Sequence, residues 1–423
     1  MNNRDSIHLS RQKASSGVRH PANGLKIFLY SHDSYGLGHL RRNLSIARAL
    51  LRRLPDSSVL IVTGSPCATQ FSVPERCDIV KVPAVGKNSD GDYVPRSLNL
   101  SLNRTIAMRR QLISGAYETF EPDIILVDHQ PAGLLGEMLD TLKKARKEEK
   151  TAIFGMRDIV DAPSAIESAW CSRECRQALE AFYDHIVVYG DKTVFDPVKE
   201  YPLLDQLRHK VSMCGYSIEP REQTDRKPAE DERKHVLVTV GGGDDGERRI
   251  ETYLQALLQG PFDWKSRIVA GPLMKRGTVR EYRHFVKHSK LARLVKINRF
   301  HGDIPFLMRR ADAIVSMAGY NSCLEILQSG TPAVLMPRDR MRKEQSIRAG
   351  RLAEMGLVQT IPTGDPQALR TALVRALSCG TVGGQVPDLE GLGNLCDLFE
   401  SISGSRFRTG GDNGRRVTGG PSE

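Results

Sequence analysis

The sequence predicts an α/β protein of two doubly wound, parallel-sheet domains that face each other across a cleft. Three observations predict it. Short apolar runs alternate with helix-patterned segments along all but the ends of the 423-residue chain. A charged stretch with two prolines divides the chain near its middle. A glycine-rich turn follows a strand-like run in each half.

The strands come first. The upstream half holds LKIFLY (25–30), VLIVTG (59–64), DIVKV (78–82), DIILVD (123–128), TAIFGM (151–156) and HIVVYG (185–190). The downstream half holds HVLVTVGGG (235–243), RIVAG (267–271), RLVKI (293–297), AIVSM (313–317) and AVLMP (333–337). Continuous apolar runs suit strands buried on both faces, as in parallel sheets. Helices between them supply the crossovers.

The boundary is SIEPREQTDRKPAEDERK (217–234), with eleven charged residues and two prolines. It reads as a solvated linker. Residues 25–216 then form one domain and 235–378 the other, with a helical segment at 379–403. The Gly/Ser/Arg-rich ends, 1–24 and 404–423, read as disordered tails.

Composition narrows the class. Lys and Arg number 61 against 50 acids, a formal +11, and 40% of residues are hydrophobic. A core is attainable at this size, which excludes a disordered chain or a small disulfide-stapled module. No run of about 18 apolar residues is present, so no membrane-spanning helix is expected. The first 24 residues lack an apolar signal segment, and none of the eight cysteines forms a CxxC pair, so a cytoplasmic chain with reduced thiols is expected. Basic residues without interleaved aromatics argue against nucleic acid. Phosphate-bearing small molecules or an anionic membrane surface fit the charge as well. RTIAMRRQLISGAYETF (104–120) mixes Arg104, Arg109 and Arg110 with apolar residues. It reads as a peripheral membrane contact or as an ordinary amphipathic helix packed on its domain.

The first candidate site follows LKIFLY. Leu40, Leu44, Ala47, Leu51 and Leu54 recur at helical spacing, which places Gly36, Gly38 and His39 on the strand-to-helix turn. Glycines there admit a ligand, and the helix start favours negative charge. His39 is a candidate base, with His32 and Asp33 as rivals. Arg41 and Arg42 read either as facing the cleft or as solvated, the usual place of arginines on a helix. Asp128 ends the strand DIILVD and reads as a second base, as an orienting group for one, or as a helix cap. Arg157 and Asp158 form a weaker third candidate. GLGHLRR lacks the third glycine of the dinucleotide fingerprint, which disfavours a nicotinamide oxidoreductase.

The second site follows HVLVTV. Gly241, Gly242 and Gly243 sit between a strand and a helix, where backbone N–H groups form an anion-binding concavity. No Gly-Lys-Ser/Thr follows, so this is not a Walker A loop. Asp244 and Asp245 read as helix-capping acids or a metal pair. Ala318 and Gly319 form the next turn, and Asn321 or Ser322 reads as the cap of a helix stopped by Gly330. Glu325, about one turn inside, suits a ribose diol. Glu344 and Gln345, read as loop residues, suit sugar hydroxyls.

Residues 298–356 resemble the C-terminal domain of glycosyltransferase family 28, which includes a bacterial cell-wall transferase acting on a lipid-linked acceptor. The Gly-Leu-Gly-His turn resembles that family's N-terminal glycine-rich loop. The resemblance implies the GT-B fold, two facing Rossmann-like domains with an interdomain cleft. It implies an inverting transfer of a hexose or N-acetylhexosamine from a UDP-sugar to a hydroxyl acceptor, lipid- or polysaccharide-linked, with no metal and no cofactor besides the donor. Gly241 to Gly243 would hold the diphosphate, with Arg299 or Arg342 as further guesses for its charge. The backbone at His301, after Phe300, would meet the base, and Ala318-Gly319 would approach the donor phosphate. Glu325 would bind the ribose, and Glu344 and Gln345 the sugar. His39 would act near the acceptor as base or phosphate contact. Glu344 replaces a family Gln, no Ser follows the glycines of GGGDD, and the N-terminal half diverges most. A nucleotide-sugar hydrolase or epimerase, or a non-catalytic nucleotide-sugar binder, are the competing readings on the same fold.

Overall fold

The computed structural model describes residues 24–32, 38–88, 92–170, 172–220, 233–243, 245–338, 342–379 and 383–409. The upstream strands are β1 (Lys26–Ser31), β2 (Ser58–Thr63), β3 (Cys77–Lys81), a small hairpin of β4 (Val85–Lys87) and β5 (Tyr93–Pro95), then β6 (Ile124–Asp128), β7 (Thr151–Arg157), β8 (His185–Tyr189) and β9 (Val211–Met213). The downstream strands are β10 (His235–Thr239), β11 (Lys265–Val269), β12 (Val295–Asn298), β13 (Ala313–Ser316), β14 (Ala333–Leu335) and β15 (Gln359–Thr360).

Two parallel sheets result. One runs β3-β2-β1-β6-β7-β8-β9 and the other β12-β11-β10-β13-β14-β15. Alternation along β1 shows why. Ile27 and Leu29 enter one apolar core while Phe28 and Tyr30 enter another, so the strand is buried on both faces. Strand order reverses between β1 and β6 in one sheet and between β10 and β13 in the other. Ligands bind in the crevice beyond the carboxyl ends of the strands at such a reversal. All eleven expected strands form. β9, β15 and the hairpin escaped the sequence because two or three residues carry no readable period.

Two boundaries differ from expectation. The first residues of the supposed linker are not solvated: Glu219 bonds Arg48 at 3.0 Å and accepts at its carbonyl from Gln328 at 2.9 Å. Residues 221–232 lie outside the described residues. The helical segment after residue 378 belongs to the upstream lobe. Helix Gly391–Thr409 sets Leu392, Leu395 and Phe399 into one core with Leu51 and Tyr216. Arg53 bonds Glu400 at 2.7 Å and Asp397 at 3.0 Å. That helix continues through Thr409, past the expected start of the tail. The remainder of both expected tails, 1–23 and 410–423, lies outside the described residues.

Helix Leu102–Phe120 turns Arg109 inward. The guanidinium is fully buried and pairs with Glu137 at 2.5 Å, so it cannot face a membrane. Arg104, Met108 and Leu112 stay exposed on one helix face. Among the described residues no helix is long and apolar enough to cross a membrane.

The lobes meet over a buried ion pair. Arg348, from helix Glu344–Glu354, donates to Asp158 at 2.8 Å and to the Ala318 carbonyl at 3.1 Å. Tyr216 donates to the same carboxylate at 2.8 Å. Tyr320 reaches across to the Tyr189 carbonyl at 2.9 Å. Burying Arg348 would lower its pKa, but the charge of Asp158 raises it above the usual value, so the guanidinium keeps its charge. Removing one member of such a pair leaves the other charge uncompensated. Arg348→Met should therefore destabilise the chain by about 3–5 kcal/mol in urea denaturation, and adding Asp158→Leu should recover part of that loss. An unchanged midpoint in the single variant would remove the pair from the account of the seam.

Candidate active site in the interlobe cleft

The upstream half of the site forms at the reversal between β1 and β6. Parallel register sets Ser31 beside Asp128. Asp128 is fully buried at the end of β6. Helix Gly38–Arg53 begins above it and brings His39 Nδ1 to 2.7 Å from Asp128 Oδ2. Arg42, one turn on, donates to both carboxylate oxygens at 2.8 and 2.6 Å. Burial alone raises the Asp128 pKa. The charges of Arg42 and His39, with their hydrogen bonds, outweigh it and bring the carboxyl down to about 2.

That charge state assigns the imidazole. Two lone-pair atoms 2.7 Å apart would repel, so Nδ1 carries a proton and donates it to Asp128. In the neutral ring Nε2 is then the free acceptor. Arg42 Nη2 also lies 2.9 Å from Nδ1, a donor-to-donor contact that the carboxylate between them offsets. Arg42 is sandwiched by aromatic faces, 5.1 Å from the Tyr189 centroid and 5.5 Å from that of Tyr320, one from each lobe. Two more imidazoles back His39. Its ring centroid is 5.2 Å from His32 and 4.9 Å from His129. Burial first, then neighbouring positive charge, holds both well below the ordinary histidine range, so they stay neutral. His129 has a φ of 72°, a left-handed conformation that a non-glycine residue adopts only under constraint.

The downstream half forms at the reversal between β10 and β13, where Thr239 pairs with Ser316. Gly241 and Gly243 have φ of 62° and 91°, and a Cβ on Gly243 would meet the Ala270 carbonyl at 2.2 Å. This turn therefore requires glycine. Gly319 precedes helix Tyr320–Ser329 with extended backbone, and no side chain caps that helix. Asn321 and Ser322 instead lie within its first turn, which corrects the expected cap. Gly38 of the upstream lobe sits against Asn321; a Cβ there would lie 3.5 Å from its side-chain nitrogen. Glu325 is buried and pairs with Arg41 at 2.8 Å across the seam. A cavity of about 160 Å³ opens here, lined by Arg41, Arg42, Ser45, Ser217, Asn321 and Glu325 among others.

Other candidates move. Glu344 and Gln345 are not loop residues but open helix Glu344–Glu354, and both are buried. Gln345 accepts from the Arg338 N–H at 3.1 Å, while Glu344 Oε2 has no partner. Arg299 turns away to the carbonyls of Pro272 and Met274, so it is not free to meet a ligand's charge. Phe300 and His301 follow β12, the sheet edge; Phe300 is 62% exposed and His301 Nδ1 accepts from the Asp303 N–H. Asp245 pairs with Arg338. Gly36, Asp33 and Asp244 lie outside the described residues.

Sequence reasoning missed His129, Tyr189, Tyr320 and Arg348, and left Arg42 open between cleft and solvent. The one available signal was Asp128 itself, since an acid ending a fully apolar strand needs a counter-charge.

Residues 273–368 match the glycosyltransferase family 28 C-terminal domain. A UDP-N-acetylglucosamine–N-acetylmuramyl-(pentapeptide) pyrophosphoryl-undecaprenol N-acetylglucosamine transferase of Anaplasma marginale is 25% identical over 215 residues, 47% of this chain and 57% of that protein. The chain thus spans little more than half of that relative. The crystal structure of MurG from Acinetobacter baumannii superposes with a TM-score of 0.57 at 15% identity, covering 89% of this chain and 99% of that one. The UDP-GlcNAc 2-epimerase of Methanocaldococcus jannaschii gives 0.58 at 12% identity, with the same two coverages.

The carboxyl at about 2 sets an acid dependence. Its value in the unfolded chain is near ~3.9. A lowered folded pKa contributes stability above pH ~4 that is lost as pH falls toward about 2. Stability measured by denaturation should therefore decline across that window by on the order of 2 kcal/mol from this group, and Asp128→Asn should lack that component.

Proposed function

On the premise that this chain has the GT-B fold and carries a glycosyltransferase family 28 C-terminal domain, we propose that it transfers a hexose or N-acetylhexosamine from a UDP-sugar to a hydroxyl acceptor. The observation that carries the proposal is the His39–Asp128 pair. With Nδ1 turned to Asp128, the ring leaves Nε2 for another partner where the ends of both sheets converge, near the cavity that Glu325 lines.

In this reading His39 Nε2 takes the acceptor hydroxyl's proton as the oxygen attacks the anomeric carbon. The nucleoside diphosphate departs from the opposite face, and configuration inverts, the geometry expected when a base activates the attacking oxygen. Asp128 keeps its charge throughout and stabilises the imidazolium that forms. The leaving diphosphate gathers negative charge, which the N–H groups of the Gly241–Gly243 turn and the start of helix Tyr320–Ser329 offset without reorganising. Glu325 accepts from the ribose hydroxyls, exchanging its contact with Arg41 as the donor enters. Glu344 and Gln345 meet the sugar, and Glu344 Oε2 is an acceptor still without a partner. A lipid-linked acceptor belongs to this reading, with the exposed Arg104, Met108 and Leu112 face as its approach.

A second reading rests on the epimerase likeness: the same pair could activate water, or act on the donor sugar itself. Incubation with UDP-sugars separates them. UDP release that requires an added acceptor supports transfer, and acceptor-independent release or an epimerised donor supports the second reading. Binding without turnover leaves a nucleotide-sugar binder.

His39→Ala should lower turnover by about 10²–10⁴-fold with donor affinity nearly kept, the loss of a general base. Retained turnover would remove His39 from that role. Glu325→Ala should weaken UDP binding by about 1–3 kcal/mol in calorimetry, the scale of hydrogen bonds to a charged group. Unchanged affinity would take Glu325 out of the nucleotide site.

A further inference from the structure

One face of the downstream sheet is left uncovered toward its β12 edge. Helices Glu247–Leu258, Arg276–Lys287 and Pro366–Cys379 cover the opposite face, where Val238, Ile268 and Ile297 join one core. On the near face helix Ile304–Arg310 packs Met308 into a core with Leu237 of β10 and Ile314 of β13. Beyond β10 the cover ends. Register sets Leu237, Arg267 and Lys296 side by side on three adjacent strands. Leu237 is buried, but Arg267 and Lys296 are exposed. Parallel sheets ordinarily have both faces covered, and like charges on neighbouring strands repel. Two cations thus stand where a covered sheet carries apolar residues.

A groove of about 730 Å³ lies there, toward the amino ends of β10, β11 and β12 and so away from the interlobe cleft. Its floor is the sheet; its walls are the turn at 292–294 and helix Ile304–Arg310. Arg293 and Arg310 join Arg267 and Lys296 in the lining, which contains no acid. Among the described residues none of these four cations has a carboxylate partner. Other surface arginines do find one, as Arg53, Arg146 and Arg208 show. Arg310 lies instead over the Phe306 ring, 5.6 Å from its centroid. Phe306 is 42% exposed, and Leu294 and Leu307 add half-buried apolar surface.

We infer that this groove docks an extended acidic segment of a partner protein, with carboxylates on the four cations and apolar side chains against Phe306, Leu294 and Leu307. Charge complementarity selects an anion. Guanidinium groups match carboxylates in a planar, two-bond geometry. Concavity selects a chain over a bilayer, because a lipid plane resting on the walls does not descend to Arg267 and Lys296 on the floor. Phe306 is the one Phe, Tyr or Trp in the lining and lies under Arg310, so bases find no open stacking platform, which disfavours single-stranded nucleic acid. The groove and the cleft lie at opposite ends of the same strands, so docking leaves the proposed transfer free to run. The inference goes beyond the transfer reading and does not depend on it.

The test uses the full chain and a fluorescein-labelled oligoglutamate, followed by fluorescence anisotropy and by hydrogen exchange. Wild type should bind it, with affinity falling as salt rises. Protection from exchange should fall on 292–294 and 304–311. Arg267→Gln/Lys296→Gln should weaken binding by about tenfold or more, the loss of two charge-assisted contacts. Lys143→Gln/Lys147→Gln removes the same charge from exposed positions of the upstream lobe and should change binding by no more than about twofold. The groove variant should keep its urea midpoint; if it does not, Arg293→Gln/Arg310→Gln on the walls takes its place with the same expected loss. No binding by wild type, equal losses in the groove and control variants, or protection elsewhere overturns the groove as the docking site. Phosphatidylglycerol vesicles, or an oligothymidylate of equal charge, that bind more tightly than the peptide and lose binding in the groove variant overturn the peptide in favour of a membrane or a nucleic acid.

Discussion

The Arg348–Asp158 pair sets the relation between the lobes, and the rest of the site depends on it. Two charges removed from water are tolerated only with close geometry and with their remaining valences filled. Here Tyr216 fills a carboxylate lone pair and the Ala318 carbonyl takes a guanidinium proton. Ala318 belongs to the turn that precedes helix Tyr320–Ser329. The pair that joins the lobes therefore also holds the downstream turn against the end of the upstream sheet.

The proposed base, His39, is tied to the same seam. Asp128 can remain ionised inside the protein because Arg42 neutralises it, and Arg42 is itself sheltered between Tyr189 and Tyr320. One ring comes from each lobe. Orientation of His39 is thus linked to lobe contact through an aromatic-walled arginine. An upstream lobe alone would supply one wall only. In the proposed transfer, this coupling would let His39 take up its orientation where the Gly241–Gly243 turn is in place, and it would keep that site away from water.

Much of this was legible in the chain. Eleven strands announced themselves as apolar runs, and glycine turns after β1 and β10 marked the ends that face the cleft. Glycines 241 and 243 were readable because their backbone needs no side chain. His39 and Asp128 were each suspected from strand-end position. Their 2.7 Å contact joins residues 89 apart in sequence, which no local pattern encodes. The arginines stayed undecided for the same reason. Helical spacing left Arg42 open between cleft and solvent and Arg109 on a helix read as a membrane contact or as packed on its domain; each turns inward because a buried acid from another strand or turn claims it. Glu344 and Gln345 passed for loop polarity, since a short helix start looks polar until a lobe covers it.

By itself the sequence determined what local interactions can determine: which runs become strands buried on both faces, where helices begin and end, and which turns admit only glycine. Those follow from side-chain period, backbone sterics and hydrophobicity within a few residues. The tertiary structure alone decided which acid meets which arginine and which imidazole nitrogen faces Asp128. Buried charges are settled by partners distant in the chain, as Arg348 and Asp158 are at a separation of 190, because in a low-dielectric interior each charge is stable only where its counterpart is brought by the fold.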